Sequence, residues 1–287
     1  MLSSTLVTRW LQAFASPGAG AVPAPVRRAR TALRVARAVA EYAWLPLAAL
    51  GAWQLASATG LVPAVAMPSP ARVGRAFYDL LRSGELVRHV AVSLARVLEG
   101  SAAAAALGVG LGIAVGLSRR LERTTDLVLQ VLRPIPPIAW IPLAILWFGI
   151  GELSKVYIIF LGAFFPIAVN VISGVRQTEH RYVEVARILE VSRWRFVRHV
   201  VVPGALPVIM SSLRLGLGIA WMCVVAAELI AASSGVGYLI MDARQLSQPD
   251  VVLVGMITIG VVGKAMDVAL RRLERRVVAW KVVYAGE

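Results

Sequence analysis

Six apolar stretches, at about 41–58, 91–118, 126–148, 153–174, 207–232 and 251–270, leave this chain few ways to fold. A helix rises about 1.5 Å per residue and the hydrocarbon core of a bilayer is about 30 Å thick, so about 20 apolar residues cross it, and the first and last stretches just reach. In lipid, backbone polar groups must bond within the protein, which makes each stretch a helix. The expected fold is all-α, a polytopic membrane bundle of about six transmembrane helices. Composition agrees: 58% of residues are hydrophobic, 16% charged, and mean hydropathy is +0.73, whereas a soluble domain is about a quarter charged.

The net charge of +14 could point to nucleic acid. Long apolar runs separate the basic clusters, however, while a nucleic-acid binder gathers them on one face, so the expected surface partner is membrane lipid and not nucleic acid. The basic residues instead set topology. With a cytoplasmic N-terminus, 20 of the 30 fall in inside segments against 6 outside, which by the positive-inside rule puts both termini in the cytoplasm and the polar stretch 175–206 with them.

Residues 1–40 read as a flexible basic cytoplasmic extension, with a membrane-surface helix as the alternative. Arg9 breaks the only candidate for a signal-peptide core. The transmembrane domain is expected over 41–280 and a cytoplasmic tail over 281–287. In the outside segment 59–90, Ser69 can cap a short helix from Ala71 to Leu81. The single cysteine, Cys223, is expected as a small core residue.

Gly108, Gly112 and Gly116 recur every four residues, a stripe that lets a neighbouring helix approach closely. Pro134, Pro136, Pro137 and Pro142 free carbonyls in the third stretch, and these must face protein or a water-filled path. On that argument spans three and five line the path, through Pro136, Pro137, Trp140, Ser211 and Ser212. Arg133 and Arg214 either snorkel to the interface or form an electropositive exit. Arg96 with Glu99, and Lys264 with Asp267, stand three apart and can neutralise each other along a helix face. Glu228 has no evident local partner and joins the candidate path residues.

Gly260, Gly263, Lys264 and Ala265 come closest to a phosphate-binding loop, with the wrong spacing and no hydroxyl. The chain is therefore expected to bind no nucleotide or other cofactor, and its histidines, His89, His180 and His199, lie in segments read as aqueous or interfacial. No carboxylate is expected at the midplane, which counts against a secondary carrier.

Between the fourth and fifth spans, Tyr182, Val185, Ile188 and Leu189 mark one helical face, and Ser192 can cap a second short helix carrying Trp194 and Phe196 among three arginines. That composition suits a protein interface, or alternatively a helix on anionic lipid. Glu184-Val185-Ala186, followed by Val200-Val201-Val202-Pro203-Gly204-Ala205-Leu206-Pro207, resembles the E-A-A loop of inner-membrane permease subunits of binding-protein-dependent ABC importers. The family's glycine falls on Glu190. Glycine suits a turn needing positive φ, so Glu190 either accepts about 1 kcal/mol of strain or the turn is rebuilt.

Further segments resemble the nitrate, sulfonate and taurine branch. They are Pro68-Ser69-Pro70, Ile135 to Leu143, Trp147-Phe148-Gly149-Ile150-Gly151, Phe165-Pro166-Ile167, Ala227-Glu228 and Ser234-Gly235-Val236-Gly237-Tyr238-Leu239. The 147–151 segment is most similar to aliphatic sulfonate and taurine members. The resemblance implies a permease homodimer in the bacterial inner membrane, two ATP-binding subunits that use ATP and Mg, and a periplasmic or lipid-anchored solute-binding protein resting on 60–90 and 233–250. It further implies a coupling loop, 178–202, with Glu184, Ala186, Arg187, Glu190, Trp194, Phe196, Gly204 and Pro207 at or beside the ATPase contact.

Overall fold

A computed structural model describes residues 44–59, 63, 67–178 and 180–278, without the side chains of His180, Val183 and Arg187. The N-terminal extension, the C-terminal tail and the Arg187 side chain therefore lie outside the described residues. The chain divides into units Met1–Leu61 and Val62–Glu287. In the first, helix α1 covers 44–58, the part of the first apolar stretch that is described.

The second unit holds α2 (Pro70–Arg82), α3 (Glu85–Leu117), α4 (Arg119–Leu132), a 3-10 turn (Pro137–Trp140), α5 (Ile141–Phe148), α6 (Glu152–Arg176), α7 (His180–Ile188), α8 (Arg193–Ala231), α9 (Val236–Gln245) and α10 (Pro249–Val277). Every regular element among the described residues is helical. Helix α2 starts as expected, with the Ser69 hydroxyl accepting from the Arg72 amide at 3.3 Å. Four helices, α3, α6, α8 and α10, are long and apolar enough to span a membrane.

The third predicted span is broken. Pro136 holds extended backbone (φ −59°, ψ 135°) ahead of Pro137, because a residue preceding proline is driven out of the helical region. The chain bends by 88° between α4 and α5. The pairing of α3 with α6 shows that this bent segment nevertheless crosses the bundle. Gly100 faces Ile159, Gly108 faces Ile167, Gly112 faces Val171 and Gly116 faces Val175. The offset is constant, so α3 and α6 run parallel, and the chain must return across the bundle between them. Five crossings result in this unit, and six is the count if the first apolar stretch adds one.

The glycine stripe is what brings α3 and α6 together. A Cβ on Gly112 would sit 2.6 Å from Val171 Cβ, and one on Gly116 2.7 Å from Val175 Cβ, closer than carbon atoms pack. Helix α8 runs antiparallel to α6, with Gly216 against Ile167 and Gly174 against Val208. Cys223 is buried beside Gly162, the core role expected of it. The Trp221 indole donates to the Ile259 carbonyl of α10 at 2.9 Å and packs on Gly263. Gly263 is thus a packing notch for an aromatic ring.

Candidate functional site

The helix directions place α2, α9 and the start of α3 at one end of the bundle, where the Arg72–Asp250 pair at 2.9 Å ties α2 to the start of α10. Helices α4 and α7 lie at the other end. Each end carries a distinct set of side chains.

At the α7 end, Tyr182, Val185, Ile188, Leu189 and Trp194 are all more than half exposed. The first four are the apolar positions that the sequence placed on one face, and Trp194 belongs to the second short helix. Glu184 is exposed beside them and Ala186 half-buried. The turn closing α7 keeps its geometry without glycine: Glu190 sits at φ 51°, and the Val191 amide donates back to the Ala186 carbonyl at 2.9 Å. This is the left-handed C-terminal cap that glycine usually provides. Ser192 precedes α8 but its hydroxyl makes no cap bond, contrary to expectation. Trp194 and Phe196 also part company. Trp194 points outward, whereas Phe196 is half-buried and packs on the core. A π turn over Val197–Val201 follows, and exposed Gly204 joins Tyr182, His199 and Pro203 around a cavity of about 480 Å³. Pro207 lies one turn further along α8, half-buried, its carbonyl taking the Ser211 hydroxyl at 2.5 Å.

At the other end lies a buried charge network that helix-local reasoning missed. Arg96 is 3% exposed and uses all five N–H donors. Its Nε and Nη2 grip the Glu152 carboxylate at 2.6 and 2.7 Å. Nη1 reaches Glu228 Oε1 and the Ser234 carbonyl, each at 2.7 Å, and Nη2 adds Ser234 Oγ at 3.2 Å. Glu228, 1% exposed, also accepts from the Ser93 hydroxyl at 2.8 Å and the Gly237 amide at 2.9 Å. Ser93 in turn accepts from the Val236 amide at 2.8 Å. His89, read as aqueous or interfacial, is 1% exposed, and its Nδ1 accepts the Gly235 amide at 3.0 Å. A backbone amide can donate only to an unprotonated ring nitrogen, which leaves the ring proton on Nε2 when His89 is neutral. Gly235, at φ 117°, and Gly237 have no side chains because the Glu228 side chain fills that space.

One expected pair is therefore corrected, and the other is present within a larger group. Arg96 binds Glu228 and Glu152 in place of Glu99, since a buried fork is better matched by carboxylates from facing helices than by one on its own exposed flank. Asp267 lies 3.8 Å from Lys264, but its closer partners are Arg214 and Arg271, both at 3.1 Å. Arg214 also reaches Glu274 at 3.1 Å. Its charge is thus paired on α10.

The expected path residues do not form one surface. Ser212 is buried with its hydroxyl on the Ile209 carbonyl at 2.8 Å, and Glu228 belongs to the network. Trp140 packs on the core, and Pro137 is half-buried. Pro136, Arg133 and Ser211 are exposed, and Arg133 lines a cavity of about 640 Å³ with Gln130, Ser173 and Arg176. An apolar cavity of about 370 Å³ opens instead between α3, α8 and α10. Ser101 lines it, with a buried hydroxyl that has no bonding partner among the described residues.

Residues 106–279 match the family described as the inner membrane component of binding-protein-dependent transport systems, and the chain belongs to that family. It is 43% identical to SsuC of Bacillus subtilis (strain 168), which carries the name of an aliphatic sulfonates transport permease protein, over 86% of this chain and 91% of that one. Against the taurine transport system permease protein TauC of Escherichia coli (strain K12), identity is 36% over 80% of this chain and 86% of that one. The nitrate import permease protein NrtB of Synechocystis sp. is 34% identical over 74% of this chain and 80% of that one. The fold is shared with the MetNI methionine ABC transporter, at a TM-score of 0.62 and 20% identity over 68% of this chain and 97% of that one.

Proposed function

We propose that this inner-membrane permease works as a homodimer with two ATP-binding subunits and a solute-binding protein, and that it imports a small organic sulfonate. The observation that carries the machine is the α7 end, where five apolar side chains stand in solvent beside Glu184 and three arginines of the E-A-A loop. An apolar patch rimmed by polar residues marks a protein interface. Loop 178–202 is the element that a moving ATPase displaces, and α8, continuous with it, carries the motion into the bundle. Trp194 is the anchor of that contact, with Glu184, Ala186, Arg187 and Glu190 around it. Phe196, Gly204 and Pro207 seat the loop on the bundle. ATP and Mg belong to the partner, and this chain holds no cofactor. Both termini face the cytoplasm, by the count of basic residues.

The sulfonate is favoured by the relatives named for sulfonates and taurine. Purified permease would be reconstituted with its ATPase and solute-binding subunits and ATP turnover measured. Ethanesulfonate or taurine should stimulate hydrolysis and nitrate should not. Stimulation by nitrate alone overturns the substrate, and failure of the ATPase to associate overturns the machine.

A further inference from the structure

The charge network contains two buried cations but only one buried anion. Arg96 and Lys155 are 3% and 4% exposed and Glu228 is 1% exposed, while the Glu152 side chain is 61% exposed. Among the described residues Glu152 alone neutralises the second cation, and it does so from an exposed position. One of its oxygens receives both Arg96 Nη2 at 2.7 Å and Lys155 Nζ at 3.0 Å, and the other receives Arg96 Nε at 2.6 Å.

We infer that Arg96 and Lys155 form a receiving site for the sulfonate group of the solute, which Glu152 fills as a tethered stand-in when no solute is bound. The fork of Arg96 that holds two carboxylate oxygens presents the same spacing to two oxygens of a sulfonate, and Lys155 takes one of them or the third. Charge decides the match. With Glu152 turned into water, Arg96 and Lys155 against Glu228 leave one net positive charge, which a monoanion cancels. Glu228 cannot serve as the displaced group, since it is enclosed by Ser93, Arg96 and Gly237. Release of Glu152 uncovers two buried cations, a cost that the arriving sulfonate offsets by taking over the bonds of the carboxylate.

The site also reports its occupancy. The guanidinium that would hold the sulfonate donates to both the carbonyl and the hydroxyl of Ser234. The segment after Ser234 is fixed by His89, Ser93 and Glu228. A solute on Arg96 therefore touches the link between α8 and α9, at the end proposed to receive the solute-binding protein.

The inference rests on the sulfonate reading, and the test separates the two. Binding of ethanesulfonate, and of the uncharged ethyl methyl sulfone as a control, would be measured by calorimetry on the permease–ATPase complex without solute-binding protein. Glu152→Gln removes the competing charge and should tighten ethanesulfonate by about tenfold, the factor expected if the competitor leaves the site open about a tenth of the time. Adding Lys155→Met should reverse that gain, and the sulfone should bind none of the variants. Unchanged affinity in Glu152→Gln, or equal binding of the sulfone, overturns the site. If Glu152→Gln fails to assemble, Lys155→Gln alone decides: weaker ethanesulfonate binding supports the site and unchanged binding overturns it. A tenfold gain in a complex whose turnover ignores sulfonates would instead overturn the substrate and leave an anion site standing.

Discussion

At the Arg96 end of the bundle the buried donors find their acceptors inside the chain, whereas at the α7 end Tyr182, Val185, Ile188, Leu189 and Trp194 have no apolar cover. The first end is braced by its own bonds. On the proposed function, the second is completed by the ATPase that lies on it. The difference separates the residues whose loss unfolds the bundle from those whose loss disconnects it.

The largest break in that comparison should come from Glu228→Ala, which leaves Arg96 buried against a single exposed carboxylate. Removing one partner of a buried pair costs about 3–5 kcal/mol. Unfolding of the detergent-purified permease should show that loss, and a change below about 1 kcal/mol would mean that the network is not what holds this end. Next comes the seam between the two ends. Gly112→Val would force a stiff branched side chain against Val171, 2.6 Å from where the new Cβ would lie, at a cost of about 3 kcal/mol. Unimpaired thermal stability in that variant would count against the α3–α6 packing described.

Trp194 and Phe196 sharpen the comparison within two residues. Trp194→Ala should weaken ATPase association by about 2 kcal/mol or more with unfolding unchanged. Phe196→Ala should destabilise the permease by about 2 kcal/mol, below the loss for a fully buried ring. Pull-down and unfolding measured on both variants would test the split, and identical profiles would erase it. The smallest effect belongs to Glu190→Gly, which should add about 1 kcal/mol of stability by removing the left-handed strain at φ 51°. A loss of stability would show that the glutamate side chain contributes more than its backbone costs.

What was legible in the sequence follows the range of the interactions. The glycine stripe, the proline break and the Ser69 cap are written in residues a few positions apart, and the structure bears them out; at Glu190, where the sequence left strain or a rebuilt turn open, φ is positive. The E-A-A loop is equally local and exposes the face that its spacing predicts. Arg96 and Glu228 lie 132 residues apart, so spacing along one helix paired Arg96 with Glu99 and left Glu228 alone. Serine side chains mislead in the same way. Ser212 was expected on an open path, yet it bonds back to the Ile209 carbonyl within its own helix. A usable signal was present near one end of the spans: opposite charges at matching depth in different helices, with Ser234, Gly235 and Gly237 clustered just beyond Glu228.

The central claim is that the α7 end, unlike the Arg96 end, is finished by the ATPase. Single cysteines at Val185, Ile188 and, as a control at the opposite end, Leu246, each exposed in the chain alone, would be placed in a Cys223→Ser background. Each would be reacted with a membrane-impermeant maleimide before and after the ATPase subunits are added. The account predicts that Val185→Cys and Ile188→Cys label freely in the permease alone and become protected in the complex, while Leu246→Cys labels equally in both. Undiminished labelling at 185 and 188 in an assembled, ATP-hydrolysing complex would contradict it.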